Sequence, residues 1–348
     1  MDMNIEELLR IASEQAASDL HLTVGVPPVL RINAELVPLE AGRLAPSDTE
    51  AFARAVLDDR HWEQFAASGE VDASYSLPGI SRYRVNVYRQ RGCAAIAVRV
   101  IPKRIPDVGE LNLPAVLTEM MMRTSGLIII NGPAGTGKST SAAALIDYVN
   151  RSQKRNIITL EDPIEYLHGH QMSLIDQREI GLDTFSFASG LRSALRQDPD
   201  IVFVGDLRDM ETMAVALTAA ETGHLVLGTL RTTDASQTID RIIDIFPPAQ
   251  QQQARVQLAA ALAGVVSQRL LPTADNQGRA AAFEVLVNNP AVANLIRSDK
   301  VPQIRSVLET GRAQGMQAME ASVMDLVRDG TVTMEAVRKY AAELVNGH

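Results

Sequence analysis

The chain opens with apolar residues at Ile5, Leu8, Leu9 and Ala12, a spacing of three and four that lines one face of a helix. Leu20, Leu22 and Val24, and later Tyr83, Val85 and Val87, alternate with polar neighbours, as half-buried strands do. Residues 1–100 therefore read as a small α+β domain. Pro102, Pro106 and Pro114 are interleaved with Lys103, Arg104, Asp107 and Glu110. That composition suits an exposed, stiff connector, so a domain boundary is expected within residues 101–115.

Beyond Val116 the pattern changes to short apolar runs separated by helical stretches, as in a parallel sheet covered on both faces. The runs are 127–130, 156–160, 201–204 and 225–227. Each alone could be a piece of buried helix, but their alternation with longer helical segments favours a doubly wound α/β domain over residues 116–272. Residues 273–348 read as mostly helical, with Asn289 and Pro290 as an N-cap and first helical position. Met316, Met319, Val323, Leu326 and Val327 form an apolar helical stripe there, read as core packing.

With 348 residues, 46% hydrophobic and 22% charged, the chain is long enough for two cores, which excludes wholesale disorder or a low-complexity fibre. A formal charge of −9 argues against coating a nucleic acid, because neutralising a phosphate backbone takes clustered Lys and Arg. Cys93 is the one cysteine, which excludes an intrachain disulfide or a CxxC zinc site and suits a reducing cytoplasm. In the apolar run GCAAIAV it is expected to be buried. The first residues carry acids where a signal peptide needs bases. Residues 256–266 are too short and too Gln-broken for the ~20 apolar residues of a bilayer span. Membrane contact is expected only through partners.

The run at 127–130 leads through Asn131 into Gly132, Pro133, Ala134, Gly135, Thr136, Gly137, Lys138, Ser139 and Thr140, followed by helix-forming residues. GxxxxGK[ST] between a strand and a helix is the phosphate-binding loop. Its glycines let the backbone wrap a polyphosphate, and its amides and the helix N-terminus supply positive potential. Lys138 reaches the terminal phosphates, and the Ser139 hydroxyl is the expected Mg²⁺ ligand. A plain glycine-rich turn is the simpler reading, which the full spacing and its context disfavour. Hydrolysis also needs groups that orient water and surround the metal. Glu161 and Glu165 follow the run at 156–160, Asp206 follows the run at 201–204, and His224 stands between Gly223 and the run at 225–227. Singly, each is more simply a helix cap, a solvated acid or a structural histidine. Together with the loop, on strands of one open α/β sheet, they become candidate site residues.

The segments GPAGTGKST, TLEDPIEYLH, QREIGLDTFSF, LRSALRQDPDIVFVGDLRD, TAAETGHLVLGTL and TIDRIIDIFP resemble the secretion-type P-loop ATPases, most closely the type IV pilus retraction (PilT-like) subfamily. ASDLHLTVGVPPVLRINAEL and RYRVNVYR resemble the small PAS-like domain of that subfamily. The resemblance implies a RecA-like core, an N-terminal α+β domain of PAS type and a helical C-terminal region. It further implies ATP and Mg²⁺ bound between subunits of a hexameric ring, cytoplasmic and at the inner-membrane face of a pilus machine, powering retraction and twitching motility. Implied partners are other copies of the chain, an inner-membrane platform protein and a paralogous pilus ATPase, with no nucleic acid. Arginines of the small domain, among Arg82, Arg84 and Arg99, are implied to neutralise charge at a neighbouring subunit's nucleotide. The lack of paired CxxC motifs points away from the assembly and type II secretion relatives, which commonly carry a tetracysteine zinc element. Three positions depart from the subfamily: Asp206 replaces a usual Glu, Arg231 the usual His of TLHT, and Ala293 the first arginine of AIRNLIRE. A weakly hydrolysing regulatory paralogue and a protein-secretion ATPase therefore stay open as alternatives.

Overall fold

A computed structural model describes residues 4–32, 35–102, 104–275 and 277–338. Lys103 of the expected connector and the last ten positions of the C-terminal region lie outside the described residues. The chain divides into two compact units, one running to Arg104 and including Glu165–Leu167, the other comprising Ile105–Ile164 and the residues from His168 on.

The first unit contains α1 (Ile5–Glu14), β1 (Asp19–Leu22), β2 (Val29–Ile32), β3 (Glu35–Pro38), α2 (Pro46–Val56), α3 (Asp59–Ser68), β4 (Glu70–Leu77), β5 (Ser81–Gln90) and β6 (Cys93–Val100). Its strands pair antiparallel in the order β3-β2-β1-β6-β5-β4. The Asn4 side chain caps α1 by accepting from the Glu7 amide at 2.8 Å, and the helix buries Ile5, Leu8, Leu9 and Ala12. Tyr83, Val85 and Val87 enter the same core from β5. The Tyr83 hydroxyl donates to the Leu9 carbonyl at 3.0 Å, so its one polar atom is satisfied inside. Because side chains alternate across a strand, Arg82 and Arg84 share the other face. Cys93, expected to be buried, is partly exposed, because it opens β6 directly after the Arg91–Gly92 turn.

The second unit contains α4 (Ala115–Met121), β7 (Gly126–Asn131), α5 (Lys138–Ser152), β8 (Asn156–Glu161), β9 (Leu174–Glu179), α6 (Phe187–Ala194), β10 (Ile201–Val204), α7 (Met210–Glu221), β11 (Leu225–Leu230), α8 (Ala235–Asp244), α9 (Pro248–Ala261), β12 (Leu262–Pro272), β13 (Arg279–Val287), α10 (Pro290–Arg297), α11 (Ile304–Thr310) and α12 (Met319–Arg328). The sheet order is β13-β12-β7-β11-β10-β8-β9, with every pair from β12 to β9 parallel and β13 antiparallel at one edge. Every residue of β7, β10 and β11 is buried because helices cover both faces. Leu127 and Ile129 face the layer of α7, α8 and α9, while Ile128 and Ile130 face α4 and α5. Burying each such side chain contributes about 1.5–3 kcal/mol, which anchors the central strands that carry the site.

In this sheet three strands do not follow from the apolar pattern. β9 is an edge strand and exposes Leu174 and Asp176, so it lacks a continuous apolar run. β12 is nearly all buried but carries Ser267, Gln268 and Arg269, and β13 starts with Arg279 and three alanines, poor strand formers. The segment after Pro272 thus begins with a strand of the central sheet and turns helical from α10 onward. Asn289 caps α10 by accepting from the Val292 amide at 2.9 Å. Met319, Val323 and Leu326 pack against Leu271, Ala282 and Val332, so the C-terminal stripe serves core packing. Among the described residues no helix is long and apolar enough to cross a membrane.

Candidate nucleotide-binding site

β7 ends at Asn131, the loop runs from Gly132 to Gly137, and α5 begins at Lys138. Gly132, Gly135 and Gly137 have φ of 153°, 78° and 85°, values an L side chain rarely adopts. A Cβ on Gly132 would lie 2.6 Å from both the Gln268 carbonyl oxygen and Thr136 Oγ1, so at that position the loop packs backbone to backbone on β12. Around Gly135 the space is open, and the loop tip at Ala134 and Gly135 is exposed. Lys138 Nζ donates to the carbonyls of Gly132 and Pro133, each at 2.8 Å, which folds the ammonium back over the loop. Thr136 Oγ1 donates to the Pro133 carbonyl at 2.9 Å. Ser139 and Thr140 follow in the first turn of α5, half-buried. This cradle of positive-φ glycines with an inward-folded ammonium fits a polyphosphate.

The neighbouring strand ends supply the acids. Glu161 closes β8, is buried, and accepts from Thr159 Oγ1 at 2.6 Å and Gln177 Nε2 at 3.1 Å. The Gly205 amide donates to the Leu160 carbonyl at 2.8 Å, which places Asp206 just beyond β10 and beside the end of β8. The Asp206 carboxylate, 18% exposed, lies 3.8 Å from Nη2 of Arg231, which is 71% exposed. In β7 and β11 Asn131 pairs with Leu230, so Arg231 follows at the level of Gly132. The carboxyl ends of β7, β11, β10 and β8 thus bring the phosphate loop, Arg231, Asp206 and Glu161 to one edge of the sheet, where open α/β folds bind ligands.

His224 does not join this set. It precedes β11, and its carbonyl accepts from the Gly126 amide at the start of β7, which puts it at the opposite edge of the sheet. Its ring Nδ1 lies 3.2 Å from the Ala219 carbonyl, closing the end of α7. Within one subunit it therefore stands where a parallel strand begins, away from the strand ends that carry the phosphate loop. Glu165 is exposed, in the short segment that groups with the first unit. In that unit Arg84 lies 3.8 Å from Asp72 and Arg99 lies 3.0 Å from Asp19, while Arg82 Nη1 donates to Ser76 Oγ at 3.4 Å. Arg84 and Arg99 are cross-strand partners on the exposed side of β5 and β6.

Sequence reasoning missed the residues that brace the loop. Gln268 Oε1 accepts from Ser141 Oγ of α5 at 2.8 Å, and Arg279 Nη1 donates to the Gly135 carbonyl at 3.4 Å. Asn131 Nδ2 donates to the carbonyls of Thr232 and Asp234 at 3.2 and 3.4 Å, and the buried Arg269 donates through Nη2 to that of Thr233 at 2.9 Å. Glu284 accepts from the Ala235 amide at 2.8 Å and from Ser267 Oγ at 3.2 Å, and burial pushes its carboxyl above the usual range. The available signal was the polar triplet Ser267–Gln268–Arg269 inside the long apolar run of β12.

A glycine-rich loop between a central parallel strand and a helix, with acids at the adjacent strand ends, defines a P-loop nucleotide-binding protein with a RecA-like core. Residues 82–343 match the family model described as "Type II/IV secretion system protein". The type IV pilus retractation ATPase PilT of Pseudomonas aeruginosa is 41% identical over 97% of this chain and 98% of its own length. A twitching motility protein of Neisseria gonorrhoeae is 43% identical over 97% of this chain and 90% of its own. A crystal structure of the pilus retraction motor PilT with bound ADP aligns with a TM-score of 0.89 at 46% identity, covering 96% of each chain. The chain belongs to the type II/IV secretion system protein family, in its group of PilT-like ATPases.

Proposed function

We propose that the chain hydrolyses ATP as a hexameric motor on the cytoplasmic face of the inner membrane and drives type IV pilus retraction, the basis of twitching motility. The observation that carries this reading is the Lys138 ammonium drawn over the loop by the Gly132 and Pro133 carbonyls, one and two strands from Arg231 and Asp206. Similarity along nearly the whole chain to the Pseudomonas aeruginosa PilT supports the assignment to retraction.

In this reading the amides of Gly132 to Ser139 and the Lys138 ammonium bind the phosphates. The Ser139 hydroxyl, with Thr140 beside it, holds Mg²⁺, which when bound neutralises charge on the terminal phosphate oxygens. Among the described residues no three His, Cys, Asp or Glu side chains gather to hold a metal by themselves. Asp206 orients the attacking water, Glu165 is the second candidate for that task, and Glu161 braces the strand end beside Asp206. Arg82, Arg84 or Arg99 of one subunit neutralises charge at the nucleotide of the next. Residues 1–100 serve as a PAS-like domain, 101–115 as connector, 116–272 as the ATPase core and 273–348 as a C-terminal region. The ring docks on an inner-membrane platform protein and works beside a paralogous ATPase. A second reading, a regulatory paralogue with little turnover, is favoured by one observation: Asp206 already has an ion-pair partner in Arg231. Cells lacking the chain test the motor reading. Twitching should return with the wild-type chain and not with Lys138→Ala, and recovery with the variant would sink the proposal.

A further inference from the structure

β11 lies between β7 and β10, so Arg231, the residue after it, is flanked by the phosphate loop on one side and by Asp206 on the other. On the loop side, the Gly132 amide donates to the Leu230 carbonyl at 3.3 Å. On the acid side, Thr229 Oγ1 donates to the Gly205 carbonyl at 2.6 Å and the Leu207 amide donates to the Thr229 carbonyl at 3.0 Å. Neighbouring strands run about 4.8 Å apart, a distance the long arginine stem spans in either direction.

The backbone beneath this arginine is held while its side chain is not. Three successive carbonyls, those of Thr232, Thr233 and Asp234, each accept from a buried side chain, Asn131 or Arg269. Asp234 also caps α8 by accepting from the Gln237 amide at 2.8 Å. The Arg231 side chain is 71% exposed, and its ion pair among the described residues is the 3.8 Å contact to Asp206. A single 3.8 Å contact made by a largely exposed guanidinium is weak, whereas a guanidinium can grip a phosphate through two parallel hydrogen bonds.

We propose that Arg231 is a reversible latch, pairing with Asp206 when no terminal phosphate is bound and moving to the terminal phosphate of a nucleoside triphosphate, so that the acid is released only by the triphosphate. The proposal rests on the nucleotide-binding reading and adds to it a discrimination between triphosphate and diphosphate. Two of the three positions that depart from the subfamily pattern, Asp206 and Arg231, become one device: a shorter acid and a longer cation that meet.

The test is equilibrium binding, with Mg²⁺, of ADP and of the imido-bridged ATP analogue to the full-length chain, wild type, Arg231→Ala, Asp206→Asn and the double variant. Arg231→Ala should weaken the analogue by about tenfold or more, the loss expected for a hydrogen bond to a charged group, and change ADP by less than about twofold. Asp206→Asn, by removing the competing carboxylate, should tighten the analogue by about two- to fivefold, and should do nothing in the Arg231→Ala background. Equal weakening of both nucleotides by Arg231→Ala, no weakening at all, or an Asp206→Asn effect that is the same in both backgrounds overturns the latch and leaves the phosphate loop intact. A wild-type chain that binds neither nucleotide overturns the loop assignment and the latch together.

Discussion

Alanine at each of the three loop glycines separates what the motif spacing alone treats as equal. All three glycines have positive φ, so each substitution carries backbone strain of about 1–3 kcal/mol. The surroundings then rank them. At Gly132 the new Cβ would stand 2.6 Å from the Gln268 carbonyl, a backbone atom that can move only with β12. Overpacking of that kind adds about 1–3 kcal/mol. At Gly137 the nearest atom, 3.0 Å away, is Nε2 of the Gln268 side chain, which can rotate aside at the expense of its bond from Ser141. At Gly135 nothing lies within 4 Å and only strain remains. Destabilisation of the second unit should therefore fall from about 2–6 kcal/mol for Gly132→Ala, through an intermediate value for Gly137→Ala, to about 1–3 kcal/mol for Gly135→Ala. At roughly 2–4 °C per kcal/mol, thermal melts should show a loss on the order of 10 °C for the first and a few degrees for the last. Nucleotide affinity should not follow the same order. Gly135 faces open space at the exposed loop tip, so its methyl group obstructs the phosphates and lowers affinity despite a small change in melting. Gly132→Ala melting like the wild type, or Gly135→Ala as the most unstable of the three, would show that the close approach to β12 does not set the ranking.

Two further outcomes follow from the site and its surroundings. Asp206→Glu should raise the single-turnover rate, since a misplacement of ~1 Å can cost on the order of a hundredfold; an unchanged, already brisk rate would move the water-orienting role to Glu165. Burial pushes His168 down from 6.5 to about 4. Between those values the unfolded chain binds a proton that the folded chain does not, so stability is lost as pH falls through that window, by up to about 3 kcal/mol. His168→Gln should flatten the dependence of melting temperature on pH there, and parallel curves for the two proteins would contradict the assignment.

The central strands were legible because β7, β10 and β11 are buried on both faces and must be apolar along their whole length. The phosphate loop was legible because its chemistry depends on local spacing. β9 and β13 escaped because edge strands do not need a continuous apolar run, and β12 escaped because its polar triplet serves the site. The brace from Asn131 to the turn at Thr232 and Asp234, and that from Gln268 to Ser141, join residues more than 100 positions apart, a proximity that only strand order creates. The same holds for Asp206 and Arg231, which read as two separate departures until β10 and β11 are seen side by side. A histidine that begins a parallel strand lies at the edge opposite the one where a phosphate loop ends another.

The claim on which the rest depends is that Lys138, in this loop, makes the chain an ATP-hydrolysing machine. Phosphate release by the purified, assembled chain, measured with Mg²⁺ and ATP for the wild type and Lys138→Ala, tests it most directly. Steady release by the wild type should disappear in the variant and on adding EDTA, because no other loop side chain brings a positive charge to the terminal phosphates. Release that survives both the substitution and the chelator, or a wild-type assembly that releases none, would contradict it.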